Sequence, residues 1–162
     1  ELNIDHPHVV KVQSRIANSE GFGQVTMTDL VRQTLRMRPD RIVVGEVRGS
    51  EISDLLLALN TGHKGSATTI HADDATSVPT RIEALGLLAG LPRQAIHAQM
   101  FFAFDFVIQM HDAQRGSRGV SSIAKFSKHD DGTVFTEVLL LDSMFDDKDF
   151  AALGNKKMQV VA

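Results

Sequence analysis

Apolar residues recur at the three- and four-residue spacing of an α-helix in four segments of the chain. The first predicted helix begins at Thr28, which serves as N-cap, and ends before Pro39. The second begins at Ser50, again as N-cap, and ends at Gly62. The third covers residues 77–88 with a proline in its first turn, and the fourth follows the next proline.

Short β-branched runs lie between and after these helices. Residues 42–47 are expected to form a strand that is buried on both faces of a parallel sheet, and residues 66–70 form the next strand. A strand, a helix and a strand at this spacing predict a parallel crossover unit. Residues 104–110 predict another strand, and residues 119–127 and 133–141 predict a hairpin around an Asp-Gly turn.

These elements predict an α/β fold with a mostly parallel sheet, flanking helices and a terminal β-hairpin. Residues 1–27 carry a short valine run and a glycine-rich turn, so strand and loop are expected there. Residues 1–141 are interpreted as one domain. Residues 142–162 are acidic and weakly patterned, which indicates a weakly ordered tail.

Composition narrows the range of functions. The 162 residues suffice for one domain with a real core, and the net charge of −3 gives no general attraction to nucleic acid. The absence of cysteine excludes disulfides and thiolate metal sites. The most apolar run, residues 100–110, is far shorter than the roughly 20 residues of a membrane span. Because the first residue is Glu1 and not Met, we expect a piece of a longer protein.

Charged side chains follow the two predicted parallel strands where ligands of open α/β sheets bind, beyond the carboxyl ends. Glu46 and Arg48 follow the first strand and share one side by strand alternation, and His71 follows the second. Two interpretations of Glu46 stay open. It forms an ion pair with Arg48 or Arg41, or it holds a magnesium-bound water or polarises the attacking water beside a nucleotide γ-phosphate.

Two histidines bracket the second predicted strand. His71, at its carboxyl end, could donate a hydrogen bond to a phosphate oxygen. His63, before the strand, is as compatible with a structural or exposed role as with a functional one. A zinc site formed by both histidines and Glu46 is a weaker alternative, because the spacings match neither a helical HExxH motif nor a finger.

Arginines are numerous around the first helix. A solvated helix face explains Arg32, whereas Arg36 and Arg38 precede the central strand, where their guanidinium groups could reach phosphates of this subunit or of a neighbour. The phenylalanines of residues 101–106 have mixed spacing, which core packing explains more simply than base stacking.

Two motifs resemble those of a known family. Residues 35–48, LRMRPDRIVVGEVR, closely resemble the atypical Walker B signature of the type II and type IV secretion ATPases, and residues 61–72 resemble their His box. Residues 1–10 resemble the end of their Asp box, and the likeness extends to about residue 127. Gly49 stands where type II and pilus-retraction members usually have Asp, which favours the CpaF-like Flp/Tad pilus-assembly branch or the conjugative branch.

The resemblance implies a RecA-like P-loop NTPase core, ATP and Mg as cofactors, and a hexameric ring with ATP between subunits. It also implies a cytoplasmic protein, peripheral at the inner face of the cytoplasmic membrane, that contacts inner-membrane secretion or pilus platform proteins. No direct contact with nucleic acid is expected, because the net charge is negative. The implied catalytic residues are Glu46, which would hold Mg through water, and His71. The implied nucleotide-binding residues are Arg15, Arg36, Arg48 and His63.

The sequence departs from this family in one large respect. It contains no Gly-x-x-x-x-Gly-Lys-Ser/Thr phosphate loop, the Walker A motif, and the acidic start of the Asp box is also missing. We therefore expect the carboxyl-terminal part of an ATPase domain that is inactive by itself. The alternative is a non-hydrolysing assembly or regulatory module that retains the half-domain as an interaction surface. A nucleic-acid-binding protein is disfavoured by the negative net charge.

Overall fold

A computed structural model describes residues 4–112 and 118–141, with side chains for 4–111 and 119–140. The predicted tail, residues 142–162, lies outside these ranges. Four helices and five strands occur in the described residues. In chain order they are α1 (Met27–Arg36), β1 (Val43–Val44), α2 (Glu51–Asn60), β2 (Ala67–Thr68), α3 (Val78–Leu88), α4 (Arg93–Ala103), β3 (Phe106–Asp112), β4 (Arg118–Lys128) and β5 (Val134–Leu141).

The two predicted parallel strands exist, but they are shorter than expected. β1 and β2 pair in parallel, with Val43 opposite Ala67 and Val44 opposite Thr68. The expectation that β1 is buried on both faces is wrong: Val44 is buried, whereas Val43 is 43% exposed. Burial alternates with the period of a strand, so the described chain covers only one face of β1.

The expectation of a mostly parallel sheet is also wrong. The larger sheet has the order β3-β4-β5, and both of its pairings are antiparallel. The physical reason is the length of the connections, because a parallel pairing needs a crossover of a dozen or more residues. Only residues 113–117 separate β3 from β4, and a tight turn joins β4 to β5. Gly132 lies in this turn with a φ of 86°, which confirms the predicted hairpin.

The four helices lie close to their predicted positions, although the N-cap of α1 differs from the predicted one. α1 is capped by Thr26 and not by Thr28: the Thr26 hydroxyl accepts from the backbone N–H of Asp29, and the Asp29 carboxylate accepts from that of Thr26. Ser50 stands at the N-cap of α2 but makes no capping hydrogen bond with its side chain. Gly62 follows the end of α2 with a φ of 116°, as a C-terminal glycine should.

The main hydrophobic core joins the helices to one face of each sheet. Its fully buried side chains come from α2, α3, α4 and the antiparallel sheet, and include Ile52, Leu55, Leu56, Ile82, Leu85, Ile96, Met100 and Val107. Helices α3 and α4 approach closely at Gly86, where a Cβ atom would lie 2.7 Å from the Ile96 side chain. The expectation that the phenylalanines of residues 101–106 pack in the core fails for Phe102, which is exposed.

The segment before α1 differs from its expected strand. Among residues 4–26, strand-like pairing is limited to one antiparallel bridge between Arg15 and Val25. The predicted turn is present, because Gly21 and Gly23 both have positive φ. Within the described residues, none of the helices is both long and apolar enough to cross a bilayer.

Candidate functional site

Glu46 and His71 lie side by side just beyond the carboxyl ends of β1 and β2. The pairing of the two strands continues past their last residues, because the backbone N–H of Val47 donates to the carbonyl of Thr69. This register brings His71 Nε2 to 3.1 Å from Glu46 Oε1. A carboxylate and an imidazole that are 25 positions apart in sequence thus form one site because the two strands are parallel.

Arg48 completes this group from the other side of the carboxylate. Its guanidinium forms an ion pair with Glu46 Oε2. The side chains of Arg48 and His71 are 75% and 83% exposed, whereas that of Glu46 is only 21% exposed. The site is therefore a carboxylate at the base of an open surface, with one cationic and one titratable group reaching outward from it.

The charge state of Glu46 follows from these neighbours. The hydrogen bond from Arg48 lowers the pKa of Glu46, partial burial opposes that change, and the charges of Arg48 and His71 add to the lowering. The net pKa lies below its ordinary value of 4.5, so Glu46 is ionised at neutral pH. An ionised carboxylate can only accept hydrogen bonds or bind cations.

One oxygen of this carboxylate is left without a hydrogen bond. Glu46 Oε1 is buried and accepts no hydrogen bond from the described part of the chain, although His71 Nε2 lies 3.1 Å away. A buried oxygen in this state is costly unless a donor such as water reaches it. The ion-pair interpretation therefore describes Oε2, and Oε1 fits a water molecule, including one bound to magnesium.

The zinc alternative gains no support. Within residues 4–112 and 118–141, no three His, Asp or Glu side chains gather closely enough to hold a metal ion. His63 precedes β2, whereas His71 follows it, so the two rings lie at opposite ends of the strand. His63 Nδ1 is 2.9 Å from the carbonyl oxygen of Ala58 in the last turn of α2. This contact is of the structural kind, and the nucleotide-binding role of His63 stays a prediction.

The structure places Arg15 and Arg36 outside the Glu46 group. Arg15 Nε donates to the carbonyl oxygen of Gly23 at 2.7 Å, within the segment before α1. Arg36 lies in the last turn of α1, where its Nη1 is 3.5 Å from Gln33 Oε1. Both residues are exposed. Their roles as nucleotide-binding residues therefore stay predictions.

Glu51 is a residue of this site that the sequence pattern does not reveal. Its Oε1 accepts hydrogen bonds from the backbone N–H groups of Arg48, at 2.7 Å, and Gly49, at 2.9 Å. From sequence, Glu51 is only an acid in the first turn of a helix, placed to favour the helix dipole. The structure adds a second role, since the carboxylate folds back onto the turn that carries Arg48.

A second cluster of Glu, His and Arg was also missed. Glu83 of α3 accepts from His97 Nε2 at 2.7 Å and from Arg93 Nε at 3.0 Å. His97 Nδ1 in turn accepts from the backbone N–H of Val134 at 2.9 Å, which fixes the tautomer with its proton on Nε2. The available signal was positional, because His97 lies between Ile96 and Met100 on the apolar face of α4.

Burial raises the pKa of Glu83, but the hydrogen bonds from His97 and Arg93, with the charges of both, outweigh that effect. The pKa of Glu83 therefore lies below its ordinary value of 4.5. This cluster joins α3, α4 and β5, and both oxygens of Glu83 and both ring nitrogens of His97 have partners within it. Its geometry is therefore that of a structural ion pair.

Comparison with known proteins gives one consistent family. The family described as "Type II/IV secretion system protein" matches residues 1–135. A putative conjugal transfer protein of Mycobacterium tuberculosis is 55% identical over 124 residues, which cover 76% of this chain and 35% of the relative. The type IV secretion system protein VirB11 of Brucella suis is 33% identical over 121 residues, covering 71% of this chain and 33% of the relative.

A solved structure agrees with these relatives. The crystal structure of the VirB11 ATPase from the Brucella suis type IV secretion system, in complex with sulphate, superposes with a TM-score of 0.56 at 30% identity. The superposition covers 62% of this chain and 32% of the VirB11 chain. The present chain thus spans about a third of the length of the relatives that it matches. The family indicated by residues 35–48 and 61–72 is confirmed, and the chain belongs to the type II/IV secretion system protein family.

Proposed function

We propose that this chain is the carboxyl-terminal part of the ATPase domain of a secretion motor, with a RecA-like P-loop NTPase core. The whole protein would hydrolyse ATP to drive pilus assembly or the export of macromolecules. The observation that carries the proposal is Glu46 Oε1, a buried oxygen of an ionised carboxylate that lacks a hydrogen bond and lies beside His71. It is the group that an attacking water would need.

Each residue of the group has a distinct part in this reaction. Glu46 accepts a hydrogen bond from the attacking water and orients it toward the γ-phosphate. Arg48, held on Glu46 Oε2, lowers the pKa of that carboxylate and fixes its orientation. His71 is 83% exposed, so its ring can reach a phosphate oxygen and donate to it.

Magnesium fits this site through water. A lone carboxylate with one available oxygen suits Mg²⁺, which keeps several of its waters and takes its other ligands from the phosphates. Bound Mg²⁺ would neutralise charge that develops on the phosphoryl oxygens. Glu46 would hold it through one of the waters of Mg²⁺, because Oε1 has two lone pairs and can accept from that water as well as from the attacking one.

The phosphate-binding part of the motor has to come from elsewhere in the protein. The chain has no Gly-x-x-x-x-Gly-Lys-Ser/Thr loop and spans about a third of its relatives, so it would be inactive alone. We propose that Arg15, Arg36 and His63 bind nucleotide only in the assembled hexamer. We also propose that the hexamer sits at the inner face of the cytoplasmic membrane, on platform proteins of the secretion system.

The direct test is Glu46→Gln in the full-length protein, assayed for ATP hydrolysis. The variant keeps the size of the side chain but removes its negative charge, so kcat is expected to fall at least about 100-fold with little change in the KM for ATP. Glu20→Gln, at an exposed turn before α1, is the matched control and should leave kcat unchanged. An unchanged rate in Glu46→Gln would instead support the non-hydrolysing assembly module.

A further inference from the structure

The turn between β1 and α2 is held by a carboxylate that the hydrolysis mechanism does not use. Ser50, the residue at the N-cap, contributes no side-chain hydrogen bond. The side-chain acceptor in this turn is Glu51 Oε1, which accepts from the N–H groups of Arg48 and Gly49, just before the helix. Hydrogen bonds to a charged acceptor are roughly twice as strong as neutral ones. The two bonds to Glu51 therefore hold the backbone of this turn at Arg48 and Gly49.

Gly49 makes the arrangement specific. A Cβ atom at position 49 would lie 3.1 Å from Glu51 Oε2, which is tighter than an ordinary contact. The missing side chain therefore leaves room for the carboxylate to lie against the turn. A larger or acidic residue at position 49 would displace Glu51, by contact or by like-charge repulsion.

We propose that Glu51 is a positioning residue for the site: its carboxylate fixes the backbone of Arg48, so that the guanidinium stays on Glu46 Oε2 and leaves Oε1 for the water. This inference rests on the proposed function for its catalytic consequence. Its structural part, that Glu51 controls the Arg48–Glu46 pair, stands without nucleotide. Gly49 is part of this arrangement, because the absence of a side chain at position 49 leaves the space that the Glu51 carboxylate occupies.

The first test is made without nucleotide, by NMR on the chain. Glu51→Ala should speed amide hydrogen exchange at Arg48 and Gly49 by about tenfold, the equivalent of one lost charge-assisted hydrogen bond. The carboxyl resonance of Glu46 should then titrate at higher pH, because Arg48 no longer stays on it. Glu51→Gln keeps an acceptor oxygen but not its charge, so it should bring amide exchange at Arg48 and Gly49 back to within about threefold of the wild type and partly reverse the change in the Glu46 titration. Gly49→Ala should act in the same direction as Glu51→Ala, but less strongly.

Asp54→Asn is the matched control. Asp54 lies in the same first turn of α2, but its carboxylate accepts from Arg32 of α1 and not from the turn at Arg48. The control removes the same charge from the same helix end and should leave exchange at Arg48 and the titration of Glu46 unchanged. Equal effects of Asp54→Asn and Glu51→Ala would overturn the proposal, since the cause would then be the helix dipole.

The second test is ATP hydrolysis by the full-length protein. Glu51→Ala should lower kcat by about tenfold with an unchanged KM for ATP, and Glu51→Gln should recover it to within about threefold. If Glu46→Gln abolishes hydrolysis but Glu51→Ala changes neither kcat nor the NMR signals, the positioning role is refuted and the proposed function stands. If the NMR signals change and the wild-type protein hydrolyses no ATP, the positioning role stands and the proposed function is refuted.

Discussion

The molecule contains the same three residue types in two clusters with opposite characters. Glu46 meets Arg48 and His71, and Glu83 meets Arg93 and His97. The two glutamate side chains are equally exposed, at 21%, and both have a lowered pKa. The histidines differ: the side chain of His71 is 83% exposed, whereas that of His97 is 7% exposed.

The two clusters differ in how many of their polar atoms already have a hydrogen-bond partner within the fold. Both oxygens of Glu83 and both ring nitrogens of His97 have partners within the fold. Glu46 has one oxygen without a hydrogen-bond partner among the described residues, and it lies beside an exposed imidazole. A complete set of internal partners leaves a cluster nothing to bind, whereas a buried oxygen that still needs a donor can act on a ligand. Residue type and pKa alone would not separate these two clusters.

The largest expected effect is the difference in stability between the alanine variants of the two histidines. His97→Ala removes the acceptor of the buried Val134 N–H and leaves a cavity between α4 and β5, so it should lower the free energy of unfolding by roughly 3 kcal/mol. His71→Ala should change it by less than about 0.5 kcal/mol, because its ring is exposed. Urea unfolding of both variants measures the contrast. Similar losses from the two variants would contradict our distinction between a structural and an open cluster.

Glu83→Gln should have an intermediate effect that depends on pH. The variant keeps one acceptor oxygen, but its NH2 group must face either Arg93 Nε–H or His97 Nε2–H, and both are donors. One hydrogen bond is therefore lost together with the charge, and we expect a loss of about 2 kcal/mol in the free energy of unfolding at pH 7. Because the pKa of Glu83 is lowered in the fold, its extra stabilisation is complete above the ordinary pKa of 4.5. It disappears as the pH falls through the lower native pKa.

Urea unfolding of the wild type and of Glu83→Gln from pH 7 to pH 3 tests this sign. The difference between them should stay constant down to about pH 5 and shrink below the ordinary pKa of 4.5. A difference that grows as the pH falls would mean that burial, and not the pairing with His97 and Arg93, controls the pKa of Glu83.

The smallest expected effect is on the pKa of Glu46, which Arg48 and His71 should influence to different extents. Arg48→Gln should raise the pKa of Glu46 toward its ordinary value, because the hydrogen bond from Arg48 is the largest cause of the lowering. His71→Gln should raise it by less, since the charge of His71 contributes least. NMR titration of the Glu46 carboxyl group in both variants gives the order. A larger change in His71→Gln would show that the imidazole, and not the guanidinium, controls the ionisation of Glu46.

Much of the local structure was predictable because its signals are short-range. The spacing of apolar residues, Pro79 near the start of α3 and Gly62 after α2 located the helices, and the Asp-Gly turn located the hairpin. The contact between Glu46 and His71 was predictable too, because the carboxyl ends of parallel strands meet at one edge. By contrast, Ser50 was correctly predicted as the N-cap residue of α2, but its side chain makes no capping hydrogen bond. The contact of Glu51 with the N–H groups of Arg48 and Gly49 had no signal in the sequence.

The sequence by itself determined the four helices, the hairpin, the family motifs and the site where two strands end. Only the tertiary structure decided that β1 is exposed at Val43, that the larger sheet is antiparallel, and that His97 is joined to Glu83 and Val134. The reason is physical. Periodicity and turn chemistry act over a few residues, whereas whether a polar atom is satisfied depends on partners 14 to 37 positions away that packing alone brings together.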